Sequence, residues 1–213
     1  MNSPTTEISA QLVKQLREQT GAGMMECKKA LQEANGSLSD AIEILRKRGA
    51  AVAAKKATRH AREGIISSYI HMGGKVGVLV EINCETDFVA KNDTFREFAK
   101  DITLQIAAAN PLYISRSDVP EDIINKEKEI ILAQLQSDPK NAQKPAHVLN
   151  TIVEGKLERF YQTTCLLDQT FIKDPDITIQ QLLNSKIQEI GENIVIRRFV
   201  RFQVGETQQS AQT

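Results

Sequence analysis

The sequence has 213 residues, no net charge, 41 % apolar and 25 % charged residues, and three cysteines. Such a chain suits one or two soluble globular domains, and the absence of any run of about 18 apolar residues excludes a membrane-spanning helix. The odd, widely spaced Cys27, Cys84 and Cys165 argue against a disulfide framework and a structural zinc site, so they read as reduced thiols.

The opening Met1-Asn2-Ser3-Pro4-Thr5-Thr6-Glu7 has neither a basic start nor an apolar segment. No secretory signal is expected, which points to the cytoplasm, with a plastid stroma as the alternative. Charge is unevenly spread. Residues 1–62 hold 11 Lys and Arg against 6 Asp and Glu, whereas residues 63–192 hold 13 against 20. A basic front without interleaved aromatics is a weak nucleic-acid footprint, and it serves equally to meet an acidic protein surface.

Three short helices are expected first. Ser9 caps one carrying Leu12, Val13 and Leu16, which ends at Gly21 and Gly23. Met24 to Asn35 follows, with Met24, Cys27, Ala30, Leu31 and Ala34 at helical spacing. The third runs from about Ser39 through Ile42 and Leu45 to Gly49. Residues 50–62, Ala-rich and basic, read as an exposed helical connector.

The texture then changes to strands. Residues 65–72 are rich in Ile, Gly73-Gly74 signals a hairpin turn, and Val76, Val78, Val80 and Ile82 alternate as in a half-buried strand. A helix over 93–109 places Phe95, Phe98, Ala99, Ile102, Ile106 and Ala109 on one face. Further helices are expected from Pro120, from Pro145 and over about 178–190, with a loop at 137–146. Ile194, Ile196, Arg198, Val200, Phe202 and Val204 alternate in a last strand, expected to join the hairpin in a sheet of at least three strands. The polar tail from residue 206 is expected to lack fixed structure. The class is α+β. The expected division is a three-helix domain over 1–50, a basic connector over 51–63 and an α+β core over 64–205.

Three places carry candidate chemistry. Gly21-Ala22-Gly23 fails both phosphate-loop templates and follows a helix, so it reads as a turn. Met24 and Met25 are adjacent, so they cannot both face one core, and an exposed Met beside Lys28 suits an adaptable protein contact. In Thr86-Asp87-Phe88-Val89, directly after the second strand, two roles stay open. Phe88 either folds back on the core with Asp87 capping the turn, or stands out as an apolar wedge beside a carboxylate. His60, His71 and His147 are isolated, so no metal site, no cofactor and no catalytic residues are expected.

The run VKQLREQTGAGMMECKKAL over residues 13–31 resembles the N-terminal signature of the elongation factor Ts family, as do LRKRGA over 45–50 and AAKK over 53–56. The stretch VGVLVEINCETDFVA over 76–90 resembles the family's second signature, and IGENIVIRRF over 190–199 its closing strand. The resemblance implies a non-enzymatic guanine-nucleotide exchange factor with an N-terminal module of ubiquitin-associated type. Its implied partner is elongation factor Tu, GDP-bound and nucleotide-free, with no direct nucleic-acid or membrane partner. The family's partner contacts carry over onto Lys14, Arg17, Met24, Met25 and Lys28, and its magnesium-displacing segment onto Thr86, Asp87, Phe88 and Val89. The chain looks like the short form with one core and no evident coiled coil. For that form a homodimer binding two partners is implied, with residues 194–204 as the candidate dimer strand. The rival classes are an RNA- or protein-binding adaptor using the basic front, and an enzyme using Cys84.

Overall fold

A computed structural model describes residues 8–137 and 144–206. Most of the expected polar tail, from residue 207, lies outside them, as do residues 138–143 of the expected loop. The chain forms two compact units, one running to Leu104 and resuming at Gln180, the other spanning Gln105–Ile179.

The first unit opens with helices α1 (Ala10–Thr20), α2 (Met24–Glu33) and α3 (Leu38–Lys56). The Ser9 hydroxyl accepts the Leu12 N–H at 3.2 Å, and Gly21 ends α1 at φ 68°, its N–H donating to the Arg17 carbonyl. The apolar positions at helical spacing converge: Val13, Leu16, Cys27, Ala30, Leu31, Ala41 and Leu45 form one buried cluster. Helix α3 does not stop at Gly49 as the sequence suggested. A Cβ there would lie 3.1 Å from Gln188 Oε1 and 3.7 Å from the Asn184 carbonyl oxygen, so this glycine permits a close approach within the helix instead of ending it.

Strands β1 (Glu63–Ile70) and β2 (Val76–Cys84) form the expected antiparallel hairpin, with Gly73 and Gly74 both at positive φ. The one-turn helix α4 (Asp87–Ala90) follows, then α5 (Asp93–Ala109), which buries Phe95, Phe98, Ala99 and Ile102. The unit closes with most of α8 (Ile179–Ile190) and β5 (Val195–Gln203), which pairs antiparallel with β2 and gives the order β1-β2-β5. The α+β class with an antiparallel three-stranded sheet therefore holds.

The closing strand forms where expected but carries a bulge. The register of β5 shifts between Glu81 and Ile82: Ile82 faces Ile196 but Glu81 faces Arg198, so Arg197 is an extra residue. A bulge of one residue reverses the side-chain phase beyond it. Ile194 and Ile196 are buried with Val78, Val80 and Ile82, whereas Val200, Phe202 and Val204 emerge on the opposite, exposed face. The apolar alternation in the sequence is real, yet it serves two faces.

In the second unit, α6 (Glu121–Ser137) and α7 (Ala146–Thr164) pack together as a helical hairpin around Ile131, Leu135 and Val153, with Lys156 Nζ donating to Gln134 Oε1. Their apolar stripe is thin and its heptads are not sustained, so the sequence carries no coiled-coil signature here. A two-stranded ribbon of β3 (Thr170–Phe171) and β4 (Asp174–Thr178), also unforeseen, is tied to the buried Gln105. The Gln105 amide donates to Gln169 Oε1 and the Thr170 carbonyl, and its oxygen accepts the Ile172 N–H.

Candidate partner-binding site

The site begins where β2 ends. Burial pushes the Cys84 thiol up to about 11, the nearby Glu192 carboxylate adding to it, and the Sγ–H donates to the Thr86 carbonyl at 3.2 Å. A buried, fully protonated thiol is a poor nucleophile at neutral pH, which removes the support for an enzyme built on Cys84. Thr86 then sits in extended conformation as the N-cap of α4, its hydroxyl oxygen accepting the Val89 N–H at 3.4 Å.

The short helix rests on β1 and β2 and tucks Ala90 inward. That orientation turns Phe88 outward: the ring is 81 % exposed, so it does not fold back on the core. The segment is one helical turn, with Thr86 as its cap and Asp87, Phe88 and Val89 consecutive in it. Lys91 Nζ lies 2.8 Å from Asp87 Oδ2, and this hydrogen-bonded cation holds the Asp87 carboxyl below the usual carboxylate range. The turn thus presents an aromatic ring beside a carboxylate that stays charged.

Sequence reasoning assigned no role to the residues that hold this turn. Glu192 Oε2 accepts the N–H groups of Glu85 and Thr86, each at 3.0 Å, and Oε1 accepts the Thr86 hydroxyl at 2.7 Å. In return the Asn193 N–H donates to Glu85 Oε1 at 2.6 Å. The available signal was Gly191 followed by two polar residues between a helix and a strand, where a chain reversal frees side chains to bond elsewhere.

The N-terminal candidates lie on the packed pair α1 and α2. Lys14 and Arg17 are exposed on α1, Lys14 at 3.8 Å from Glu18. On α2, Met24 is 46 % and Met25 66 % exposed, because Cys27, Ala30 and Leu31 occupy the positions that face the cluster. Lys28 stands exposed one turn along from both, which brings these three together. Gly21-Ala22-Gly23 joins the two helices, as a turn should.

Among the described residues no group of three His, Cys, Asp or Glu could hold a metal ion, and no helix is long and apolar enough to cross a membrane.

The family model described as "Elongation factor TS" matches residues 2–206. The chain is 61 % identical to elongation factor Ts of Carboxydothermus hydrogenoformans over 93 % of its own length and 90 % of that protein. It is 62 % identical to elongation factor Ts of Acetivibrio thermocellus, covering 93 % of this chain and 91 % of the relative. For elongation factor Ts of Caldanaerobacter subterraneus the identity is 60 %, over 93 % and 98 %. The matched span takes in the helices bearing Met24 and Met25, the turn bearing Phe88 and the closing strand, and the chain belongs to the elongation factor Ts family of translation elongation factors.

Proposed function

We propose that the chain is a guanine-nucleotide exchange factor that binds elongation factor Tu loaded with GDP and speeds loss of the nucleotide. The observation that carries this reading is Phe88, held outward on a one-turn helix next to a charged Asp87. A GTPase holds GDP through a phosphate-cradling loop, a basic residue and Mg²⁺. An exchange factor forms no covalent bond; it binds the nucleotide-free state better than the loaded one. Phe88 inserts between partner elements and shifts those that support the metal. Asp87 competes for the hydrogen bonds around it, Thr86 caps the turn, and Val89 lies alongside. A thousandfold preference corresponds to about 4 kcal/mol, within reach of one buried aromatic anchor and a few further contacts.

The three helices α1 to α3 are the second grip. Met24 and Met25 adapt to a partner groove while Lys14, Arg17 and Lys28 complement an acidic surface. The adaptor reading loses weight because much of the basic front is paired internally. Lys29 lies 3.3 Å from Glu26, Lys47 lies 2.7 Å from Glu43, and Arg48 bridges Glu26 and Glu33. The place of action is the bacterial cytoplasm, where translation elongation proceeds.

A homodimer binding two partners is part of the proposal. By register, Ile70, Gly77 and Phe202 form one row across the outer sheet face, and Ser68, Leu79 and Val200 the next. Ile66, Ile70, Leu79, Val200 and Phe202 are all exposed there, with Glu81 and Arg198 paired at their margin. Apolar rows whose flanking charges are already matched suit an identical sheet stacked face to face about a two-fold axis. Phe202→Asp is expected to convert a sedimenting dimer to monomer, and an unchanged dimer would refute this face.

The direct test of exchange is stopped-flow release of fluorescent GDP from elongation factor Tu, with and without the chain. Acceleration is expected, and Phe88→Ala is expected to reduce it about tenfold or more while the circular dichroism spectrum is unchanged. A wild-type release rate with Phe88→Ala would refute the wedge.

A further inference from the structure

At the root of the Phe88 turn, where Glu85 and Thr86 lead into α4, lies a polar joint. Helix α8 ends at Gly191, which takes φ 84° and donates its N–H to the Ile187 carbonyl. The chain reverses, and the next two residues reach across to the end of β2. One Glu192 oxygen collects two consecutive backbone N–H groups and the other the Thr86 hydroxyl. That same hydroxyl oxygen takes the Val89 N–H, so Glu192 is linked through Thr86 to the first turn of α4.

The anchor is itself fixed. The Asn193 side chain, 4 % exposed, donates to the Arg59 carbonyl at 2.8 Å. Arg59 Nη1 lies 3.5 Å from Glu85 Oε1, the oxygen that receives the Asn193 N–H. Lys56 Nζ, on the last residue of α3, donates to the Gly191 carbonyl. Residues 191–193 are thereby held by the end of α3 and the residues after it, and they in turn hold the root of α4.

A helix of four residues has no stability of its own, because nucleation fixes several residues for a single hydrogen bond. Phe88 therefore keeps its pose only if the root of the turn is held from outside. We propose that Glu192 is a positioning residue for nucleotide exchange: its carboxylate clamps Glu85 and Thr86 and so preorganises the Phe88 turn before the partner arrives. Charge-assisted bonds to two backbone N–H groups are suited to this because they fix the main chain and leave the ring free to be buried. This inference rests on the wedge reading of Phe88 and deepens it.

The test has two arms on the full chain. In the free protein, amide hydrogen exchange at Thr86 and Val89 should quicken about tenfold in Glu192→Ala while the amides of β2 keep their protection. Unchanged exchange at these two amides overturns the clamp whatever happens to GDP release. In stopped-flow release from elongation factor Tu, Glu192→Ala should lower the maximal rate about tenfold and move the half-saturating concentration by less than about threefold. Glu192→Gln, which keeps an acceptor for the backbone N–H groups, should recover most of that rate. In a Phe88→Ala background the further loss from Glu192→Ala should fall below about twofold, since there is no ring left to position. Equal loss in both backgrounds overturns the positioning role and leaves the wedge standing. No loss on Phe88→Ala alone overturns the wedge and the positioning role together.

Discussion

The turn carrying Phe88 and the turn carrying Met24 and Met25 both expose apolar side chains at the start of a helix, but they are held in opposite ways. Around Phe88 the backbone is tied down: Thr86 caps the turn, Glu192 accepts from the two residues that lead into it, and Lys91 pairs with Asp87. Around the methionines the ties are weaker: Thr20 Oγ1 accepts the Ala22 N–H at 3.4 Å, and the Ala22 carbonyl accepts the weak Cys27 Sγ–H donor. Gly23 precedes α2 without a side-chain cap, and a Cβ added there would meet nothing within 4 Å. A planar ring with two rotatable bonds sits on a fixed mount, and two side chains with three rotatable bonds each sit on an open one. The first arrangement suits distortion of a partner, because a rigid wedge transmits force. The second suits a grip that must conform as the partner changes shape.

Phe88 and the two methionines are expected to act on different kinetic quantities. Phe88→Ala should act on the maximal rate of GDP release, lowering it about tenfold or more, with a smaller effect on the half-saturating concentration. Joint Met24→Ala and Met25→Ala should do the reverse, raising the half-saturating concentration about fivefold and leaving the maximal rate within about twofold. If the methionines set the maximal rate instead, the division of labour is inverted.

The smallest effect concerns the thiols beneath the two turns. Cys84 donates to the Thr86 carbonyl and Cys27 to the Ala22 carbonyl, and burial raises both above the ordinary value of 9.0, Cys84 to about 11. A raised folded-state pKa means that the unfolded chain loses the proton first. The contribution of Cys84 is therefore fully present below a pH of about 9 and is lost as pH rises towards about 11. Denaturant titrations across that window should show a shallower decline in stability for Cys84→Ala than for the unsubstituted chain. Parallel declines would remove Cys84 from the account.

The helices were legible because their signals are local: Ser9 caps, Gly21 stops, and Leu16, Leu31 and Leu45 recur at helical spacing. The hairpin and the distant closing strand were legible from alternation. What escaped depends on contacts between residues far apart in sequence. Gly49 reads as a helix stop until Asn184 and Gln188 are seen beside it. The bulge at Arg197 leaves no mark in the pattern, since apolar residues alternate on both sides of it while the face they serve changes. The β3–β4 ribbon is too short to show a period, and Gln105, which ties to it, sits between Leu104 and Ile106 in an amphipathic helix, where nothing local marks it. At the site, Phe88 was visible as an apolar residue in an unexpected place, but its exposure follows from Ala90 turning inward. Glu192 could not be singled out, because its partners lie 106 and 107 residues away.

The central claim is one of differential affinity, and calorimetry of the chain against elongation factor Tu in its nucleotide-free and GDP-loaded forms tests it most directly. Binding to the nucleotide-free form should be tighter by about a thousandfold, a gap of about 4 kcal/mol that Phe88→Ala narrows. Equal affinity for the two forms would contradict the account.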